Sequence, residues 1–128
     1  MSLRSPLGRA RGLGSAKDGV NHWVWQRLTA LALVPLTLWF VISVLVYAGA
    51  DYASVNAWIA TPYVAVLLSL YLATLFHHSQ LGLQVVIEDY VHTRWVNLSL
   101  ILLVKFSHVL LAAAGIFAVL KIALGPSA

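Results

Sequence analysis

The sequence predicts an all-α integral membrane protein with three transmembrane helices. Apolar residues make up 61% of the chain and charged residues 9%, against about 45–50% and about 25% in soluble domains. The apolar residues form three long segments, each exceeding the ~20 residues that a helix needs to cross a bilayer core. The chain has no cysteine, which excludes a disulfide, a thiolate metal site or an iron–sulfur cluster built from its own residues.

Residues 1–22 are predicted to form an N-terminal arm on the cytoplasmic side. The arm is rich in Gly, Ser and Arg and has little apolar content. A signal peptide would continue into a short apolar stretch with a cleavage site, whereas the apolar segment here is long and lacks one, so we expect the arm to stay attached. We expect a bacterial inner membrane; a mitochondrial inner membrane is the alternative, because transit peptides share this composition.

A three-helix anchor is predicted over residues 23–123, followed by a tail of residues 124–128. Trp23 and Tyr47 fit aromatic belts at the two ends of the first span. The residues Thr61–Pro62 offer a second starting point for the middle span, because proline is well tolerated in a first helical turn. The expected spans are about residues 23–47, 57–87 and 95–122, joined by loops at 48–56 and 88–94.

The distribution of Lys and Arg predicts the orientation of the spans. Five of these residues lie in the arm and at Arg27, the second loop carries Arg94, and the first loop carries none. Cytoplasmic segments are enriched in Lys and Arg. With three spans, the arm and the second loop share one side of the membrane, which we expect to be cytoplasmic.

Two adjacent histidines, His77 and His78, lie in the second apolar segment, where an ionisable side chain indicates a functional site. Gly82 is four residues after His78 and therefore lies on the same helix face. If His78 ligates a flat macrocycle, a glycine one turn away removes the side chain that would collide with it. A neutral imidazole here suits axial ligation of haem iron. It equally suits a structural histidine that forms a hydrogen bond to a neighbouring helix.

Two other histidines leave the assignment open from spacing alone. His77 points about 100° away from His78 on a helix, so it cannot ligate the same iron. We expect it to be an interhelical hydrogen-bond partner, with the ligand role as its alternative. His108 lies at a comparable depth in the third span, which permits an internal bis-histidine pair or a structural contact. No role is predicted for His22, His92 or Lys105.

Polar residues gather where the second span ends. Asp89 lies eleven residues after His78, on nearly the same face and about 16 Å farther along the helix. Because the first span begins and the second ends on the same side, we expect Arg27, Glu88, Asp89 and Tyr90 at one membrane level. A guanidinium, a carboxylate and a phenol there suit a quinone headgroup or haem propionates. The alternative is an acidic helix end beside an aromatic belt and a positive-inside arginine.

Two strings in the chain resemble the hydrophobic membrane anchor, or D subunit, of succinate dehydrogenase. Residues 78–91, HSQLGLQVVIEDYV, are similar to that family's His-x-x-x-Gly-x-x-x-x-x-x-Asp-Tyr-Val pattern. Residues 19–30, GVNHWVWQRLTA, resemble its Gly-Val…Arg-x-Thr-Ala entry into the first span. One departure is His22, which stands where the family often has a carboxylate. The Ser-x-x-His-Arg-x-Thr-Gly entry of the other anchor, the C subunit, is not found in the sequence.

The resemblance implies a subunit of respiratory complex II in which other subunits oxidise succinate. The expected partners are a flavoprotein, an iron–sulfur protein, the cytochrome b556 (C) subunit and membrane lipid, with no nucleic acid. His78 matches the axial ligand of haem b, whose second ligand the C subunit supplies, with Gly82 beside the ring and Arg27 near the propionates and quinone pocket. Tyr90 matches a tyrosine that forms a hydrogen bond to ubiquinone, with Asp89 beside it.

Two alternative functions remain at this stage. One is a cytochrome b-type anchor of another quinone-linked oxidoreductase, such as fumarate reductase, and pocket residues alone do not separate the two. The other is a small helical membrane protein without redox chemistry, in which the histidines only pack helices together.

Overall fold

The computed structural model describes residues 16–125, with side chains from residue 19 onward, and this part of the chain is built from four helices. Three of them are long and apolar enough to cross a membrane, which confirms the predicted fold class. Residues 1–15 and 126–128 of the predicted arm and tail lie outside the described residues. The helices are α1 (Ala16–Tyr47), α2 (Tyr52–Ala60), α3 (Pro62–Tyr90) and α4 (Arg94–Leu124).

Helix α1 begins at Ala16, earlier than the expected start of the first span at about residue 23. Its 32 residues correspond to about 48 Å at 1.5 Å per residue, which exceeds the ~30 Å hydrocarbon core. The difference arises because hydropathy reports the part of a helix that lies in lipid. A helix continues into the aqueous phase wherever its backbone hydrogen bonds are kept.

The connection between the first two spans differs from the predicted loop of residues 48–56. It contains the nine-residue helix α2, whose N-terminus is capped by Asp51 through a 3.1 Å hydrogen bond from the Ser54 backbone N–H. Helix α2 ends at Ala60, its C-cap Thr61 has an extended backbone, and Pro62 begins α3. Proline disfavours a helical conformation in the residue before it. The expected continuous helix from about residue 57 is therefore divided in two at Thr61.

Helix α3 lies between α1 and α4 and runs antiparallel to both. On the α1 side, Phe40 stacks on Tyr71 with ring centroids 4.7 Å apart, while Thr29 contacts His78 farther along α3. On the α4 side, a Cβ atom on Gly115 would lie 3.1 Å from Leu72 Cδ1. Small residues of this kind allow membrane helices to approach closely.

The buried core is small and lies near the end of the bundle that carries α2. Val64 of α3 is fully buried, and it clusters with Ala65, Leu68 and Val119 of α4. Most of the other large apolar side chains in the described part are exposed. Such a surface is suited to contact with lipid or with other membrane helices, because neither contact leaves apolar groups in water.

Candidate functional site

His78 on α3 points toward α1, where it contacts Thr29. The Oγ1 atom of Thr29 lies 2.9 Å from Nδ1 of His78. The same oxygen lies 2.7 Å from the Trp25 carbonyl oxygen and 3.2 Å from that of Gln26. Thr29 is only 7% exposed, so water does not compete for these hydrogen bonds. One ring nitrogen of His78 is therefore held by a hydroxyl that α1 itself positions.

The other ring nitrogen of His78 faces a replaceable side chain. Nε2 of His78 lies 3.5 Å from Nε2 of Gln26, at the outer limit of a hydrogen bond. A Cβ atom on Gly82 would meet only the Gln26 amide, at 3.6 Å, which is ordinary van der Waals contact. The Gln26 Oε1 atom is buried without a hydrogen-bond partner. The space beside His78 and Gly82 is thus occupied by one flexible, poorly satisfied amide.

A groove of about 600 Å³ opens beside His78 along α1. Its walls are almost entirely apolar, and His78 is the one ring among its lining residues. Helix α1 forms one wall of the groove, and the side away from α1 is open. Its lining residues are Ala30, Leu33, Val34, Thr37, Leu38, Val41 and His78.

His108 lies at the depth expected from the sequence, level with Ser79, but on the α4 side of α3. Its Nδ1–H donates to the Val104 carbonyl at 2.8 Å, and its Nε2 lies 3.3 Å from the Ser79 hydroxyl. His78 faces α1 instead. The structure therefore does not bring the two rings together, and the internal bis-histidine arrangement is wrong for this chain. Both nitrogens of His108 are already engaged.

His77 is exposed and packs edge-on against Trp25 of α1, with ring centroids 5.8 Å apart. This is a contact between helices, although an aromatic one rather than the expected hydrogen bond. On its other side, His77 lines a cavity of about 210 Å³ together with Gln80 and His108. No group of three or more His, Cys, Asp or Glu side chains suited to a metal ion is found within residues 16–125.

Arg27 does not lie at the level of Asp89 and Tyr90, contrary to the sequence-based expectation. Its neighbour Gln26 is level with His78 and Gly82, and Gly82 lies about 10 Å from Asp89 along α3 at 1.5 Å per residue. The Arg27 guanidinium instead lies 4.2 Å from the centre of the Trp23 ring. The expectation differs from the structure because the register of α1 against α3, in which Thr29 and Gln26 meet His78, places the backbone of Arg27 deeper along the helix pair.

Asp89 and Tyr90 belong to the last turn of α3 and are exposed, Tyr90 by 81%. A polar groove of about 540 Å³ lies next to them at the connection between α3 and α4. The groove is lined by Glu88, Val91, His92, Arg94, Asn97 and Leu98.

Several polar residues of this region were not singled out from the sequence. Thr29 and Gln26 contact His78 from another helix, and no spacing along one helix reveals such a pair. Gln80 and Gln84, which were also not singled out, form with Glu88 a chain of side-chain hydrogen bonds along α3, with N···O distances of 3.1 and 2.8 Å. Their four-residue spacing is a signal that sequence analysis could have used.

Comparison with known proteins places the chain among membrane anchors. The sequence model of the succinate dehydrogenase/fumarate reductase transmembrane subunit matches residues 1–114. Three relatives are each named succinate dehydrogenase hydrophobic membrane anchor subunit. The protein of Rickettsia bellii is 35% identical over 117 residues, covering 91% of this chain and 94% of its own length.

The Paracoccus denitrificans protein is 30% identical over 125 residues, which is 98% of this chain and 96% of that protein. The Rickettsia conorii protein is 30% identical over 104 residues, which is 80% of this chain and 82% of that protein. No solved structure matches the chain.

Proposed function

Because the chain belongs to the family of succinate dehydrogenase/fumarate reductase transmembrane subunits, we propose that it is the anchor that supplies one axial ligand to haem b and part of the ubiquinone site. Its relatives are bacterial membrane anchors, and its three apolar helices suit the same setting. In this role it holds a flavoprotein and an iron–sulfur protein at the membrane, and those subunits carry out succinate oxidation.

The environment of His78 carries the proposal for haem. Its Nδ1 is engaged by Thr29, and its Nε2 faces the Gln26 amide, which also lies against Gly82. The unpartnered Gln26 oxygen and the open glycine side fit a flat group that displaces this amide. An apolar groove continues from the ring along α1. Haem bound there would supply a one-electron redox centre, and the chain would supply His78 as one of its two axial ligands.

The second ligand must come from another subunit. His108 faces away from His78 and His77 lies against Trp25, so neither residue completes a pair with His78. The groove beside His78 is open on the side away from this chain, which suits closure by a partner anchor of the cytochrome b556 (C) type.

The quinone portion of the proposal rests on the end of α3. Tyr90 presents an exposed hydroxyl and Asp89 an exposed carboxyl at the last turn, so the phenol can donate a hydrogen bond to a quinone carbonyl. The neighbouring acid can hold a proton that the reduced quinone needs. The backbone of Arg27 lies deeper, next to Gln26 at the level of His78 and Gly82, which suits the propionate side of haem better than the quinone headgroup.

The haem proposal is tested by replacing His78 with Ala in the complex purified with its partner subunits. We expect the reduced-minus-oxidised b-type signal and the haem content to be lost, because no other side chain of the groove is a haem ligand. His77→Ala and His108→Ala are the matched controls and are expected to keep the signal. A full haem signal in His78→Ala would refute the ligand assignment.

The family also includes fumarate reductase anchors. Our second interpretation is therefore that the chain anchors a fumarate reductase that uses menaquinone. The relatives compared here are all named as succinate dehydrogenase subunits, which favours the succinate-oxidising direction. Identification of the quinone extracted with the purified complex decides between the two.

A further inference from the structure

We propose that Thr29 is a positioning residue that fixes the tautomer and the ring plane of His78, so that Nε2 carries the lone pair directed at the iron. This inference rests on the proposed function, because it presumes that His78 is the ligand. It gives α1 a role in haem binding in addition to the ligand role of His78 on α3. The tautomer of His78 follows from the hydrogen bonds around the buried Thr29 Oγ1 atom.

Thr29 has a single hydroxyl proton, and three acceptor or acceptor-capable atoms surround it. The shortest contact, 2.7 Å, is to the Trp25 carbonyl oxygen. A carbonyl cannot donate, so two oxygens at this distance require the hydroxyl proton between them. Thr29 therefore donates to Trp25. The remaining 2.9 Å contact to His78 must then be a hydrogen bond that the imidazole Nδ1–H donates to Thr29 Oγ1.

With the proton on Nδ1, a neutral imidazole has its lone pair on Nε2. Nε2 then faces the Gln26 amide, 3.5 Å away, which makes no close hydrogen bond to it. The opposite tautomer would leave Thr29 Oγ1 and the Trp25 carbonyl in contact without a proton.

The hydrogen bond also restrains the ring. The Thr29 hydroxyl is tied to the backbone one turn earlier on α1, and the residue is 7% exposed, so the acceptor has a fixed position. Rotation of the His78 ring would break the bond in an environment where water cannot replace it. Partners of this kind orient a metal-bound histidine and raise its basicity.

The test uses Thr29→Val, which replaces the hydroxyl by a methyl group of similar size, in the complex with all partner subunits. Thr29→Ser keeps the hydroxyl and should restore wild-type behaviour. Thr61→Val is the matched control: the half-buried Thr61 also donates to the carbonyl one turn earlier, 3.2 Å from Ala57, but this hydrogen bond is exposed and separate from the His78 contacts. If Thr29→Val does not accumulate, Thr29→Ala removes the same hydroxyl without an added methyl group.

Three readouts report on the ligand rather than on activity. Haem retention is measured as the rate of haem loss to apomyoglobin. We expect haem to be bound roughly 10–100-fold more weakly in Thr29→Val and therefore to be lost faster. The low-spin resonance of the ferric haem is expected to shift as the ring loses its fixed plane. The midpoint potential is expected to rise, because a less basic imidazole stabilises ferric haem less; each tenfold selective loss of ferric affinity corresponds to about 59 mV.

The outcomes separate this inference from the proposed function. Loss of haem in His78→Ala with unchanged potential, resonance and haem retention in Thr29→Val would overturn the positioning role and leave the ligand intact. Equal changes in Thr29→Ser and Thr29→Val would also overturn it, because the hydroxyl would then be irrelevant. Retention of haem in His78→Ala would remove both proposals. The positioning role is supported if the changes appear in Thr29→Val and are absent from both Thr29→Ser and Thr61→Val.

Discussion

His77 and His78 are adjacent residues of the same type in one apolar helix, and their surroundings distinguish them. His78 meets a buried hydroxyl on one nitrogen and a displaceable amide on the other. His77 meets the edge of Trp25 and is otherwise exposed. The difference follows from the helical rotation of about 100° between neighbours, which places the two rings on different faces of α3, so that they meet different residues of α1.

Replacing Tyr90 by Phe is expected to lower ubiquinone reduction by the complex about 2- to 10-fold, which corresponds to the loss of one hydrogen bond. Succinate oxidation with an artificial acceptor that bypasses the quinone site should be unchanged. Both activities are measured on the same purified preparation, so the ratio between them reports on the quinone step alone.

Tyr63→Phe is the matched control for this variant. Tyr63 is also an exposed tyrosine of α3, but it lies in the first turn, at the opposite end of the helix from Tyr90. It should retain full ubiquinone reduction. Unimpaired quinone reduction in Tyr90→Phe, or an equal loss in Tyr63→Phe, would contradict a headgroup contact at Tyr90.

At the scale of the element, helix α2 shows how two local signals outweigh hydropathy. Asp51 caps its N-terminus, and Pro62 enforces an extended residue at its C-terminus. The helix is held against the bundle by aromatic contacts: Trp58 packs on Trp39 and Tyr47 of α1, with centroid distances of 6.2 and 4.9 Å. The segment therefore forms a short helix that covers one end of the core.

Asp51→Ala is expected to expose the first turn of α2, seen as several-fold faster amide hydrogen exchange at Ser54, because the cap acceptor is lost. Asp51→Asn keeps a capping oxygen and should exchange nearly as slowly as the wild type. Unchanged exchange in Asp51→Ala would mean that packing of Trp58 alone holds the turn.

The same cap predicts a pH dependence. Hydrogen bonds from the Ser54 hydroxyl and backbone N–H lower the pKa of Asp51 below its usual value of 3.8. A carboxyl whose pKa is lowered on folding stabilises the folded state above its unfolded pKa. That stabilisation is lost as the pH falls through the lower folded-state pKa. Protection of α2 is therefore expected to be constant at neutral pH and to decrease only in strong acid.

At the scale of the whole molecule, the residues of the proposed haem and quinone sites lie in open surroundings. Within residues 16–125, His77 and His108 contact other residues than His78, the groove beside His78 is open, and Asp89 and Tyr90 are exposed at the end of α3. Most large apolar side chains in residues 19–125 are exposed. These features suit a subunit that is completed by a second anchor in the membrane and by soluble subunits at the Tyr90 end.

The orientation of the bundle can be tested directly, because the chain has no cysteine. With the N-terminus in the cytoplasm, a membrane-impermeant maleimide applied to intact spheroplasts is expected to label Ala50→Cys but not Thr93→Cys. Ala50 and Thr93 are exposed residues of the two connections, so both variants should be labelled in lysed membranes. Labelling of Thr93→Cys alone in intact spheroplasts would reverse the assigned orientation.

The sequence by itself determined the fold class, the number of spans and the spacing from His78 to Gly82 and Asp89, because hydropathy and the helical repeat are properties of each segment. Only the tertiary structure decided that Thr29 and Gln26 meet His78, that His108 faces the other side of α3, and that Arg27 lies deeper than Tyr90. These outcomes depend on the rotation and register of one helix against another. In a membrane helix nearly every face is apolar, so hydropathy does not indicate which face meets a neighbour; packing of small residues and polar contacts decides it.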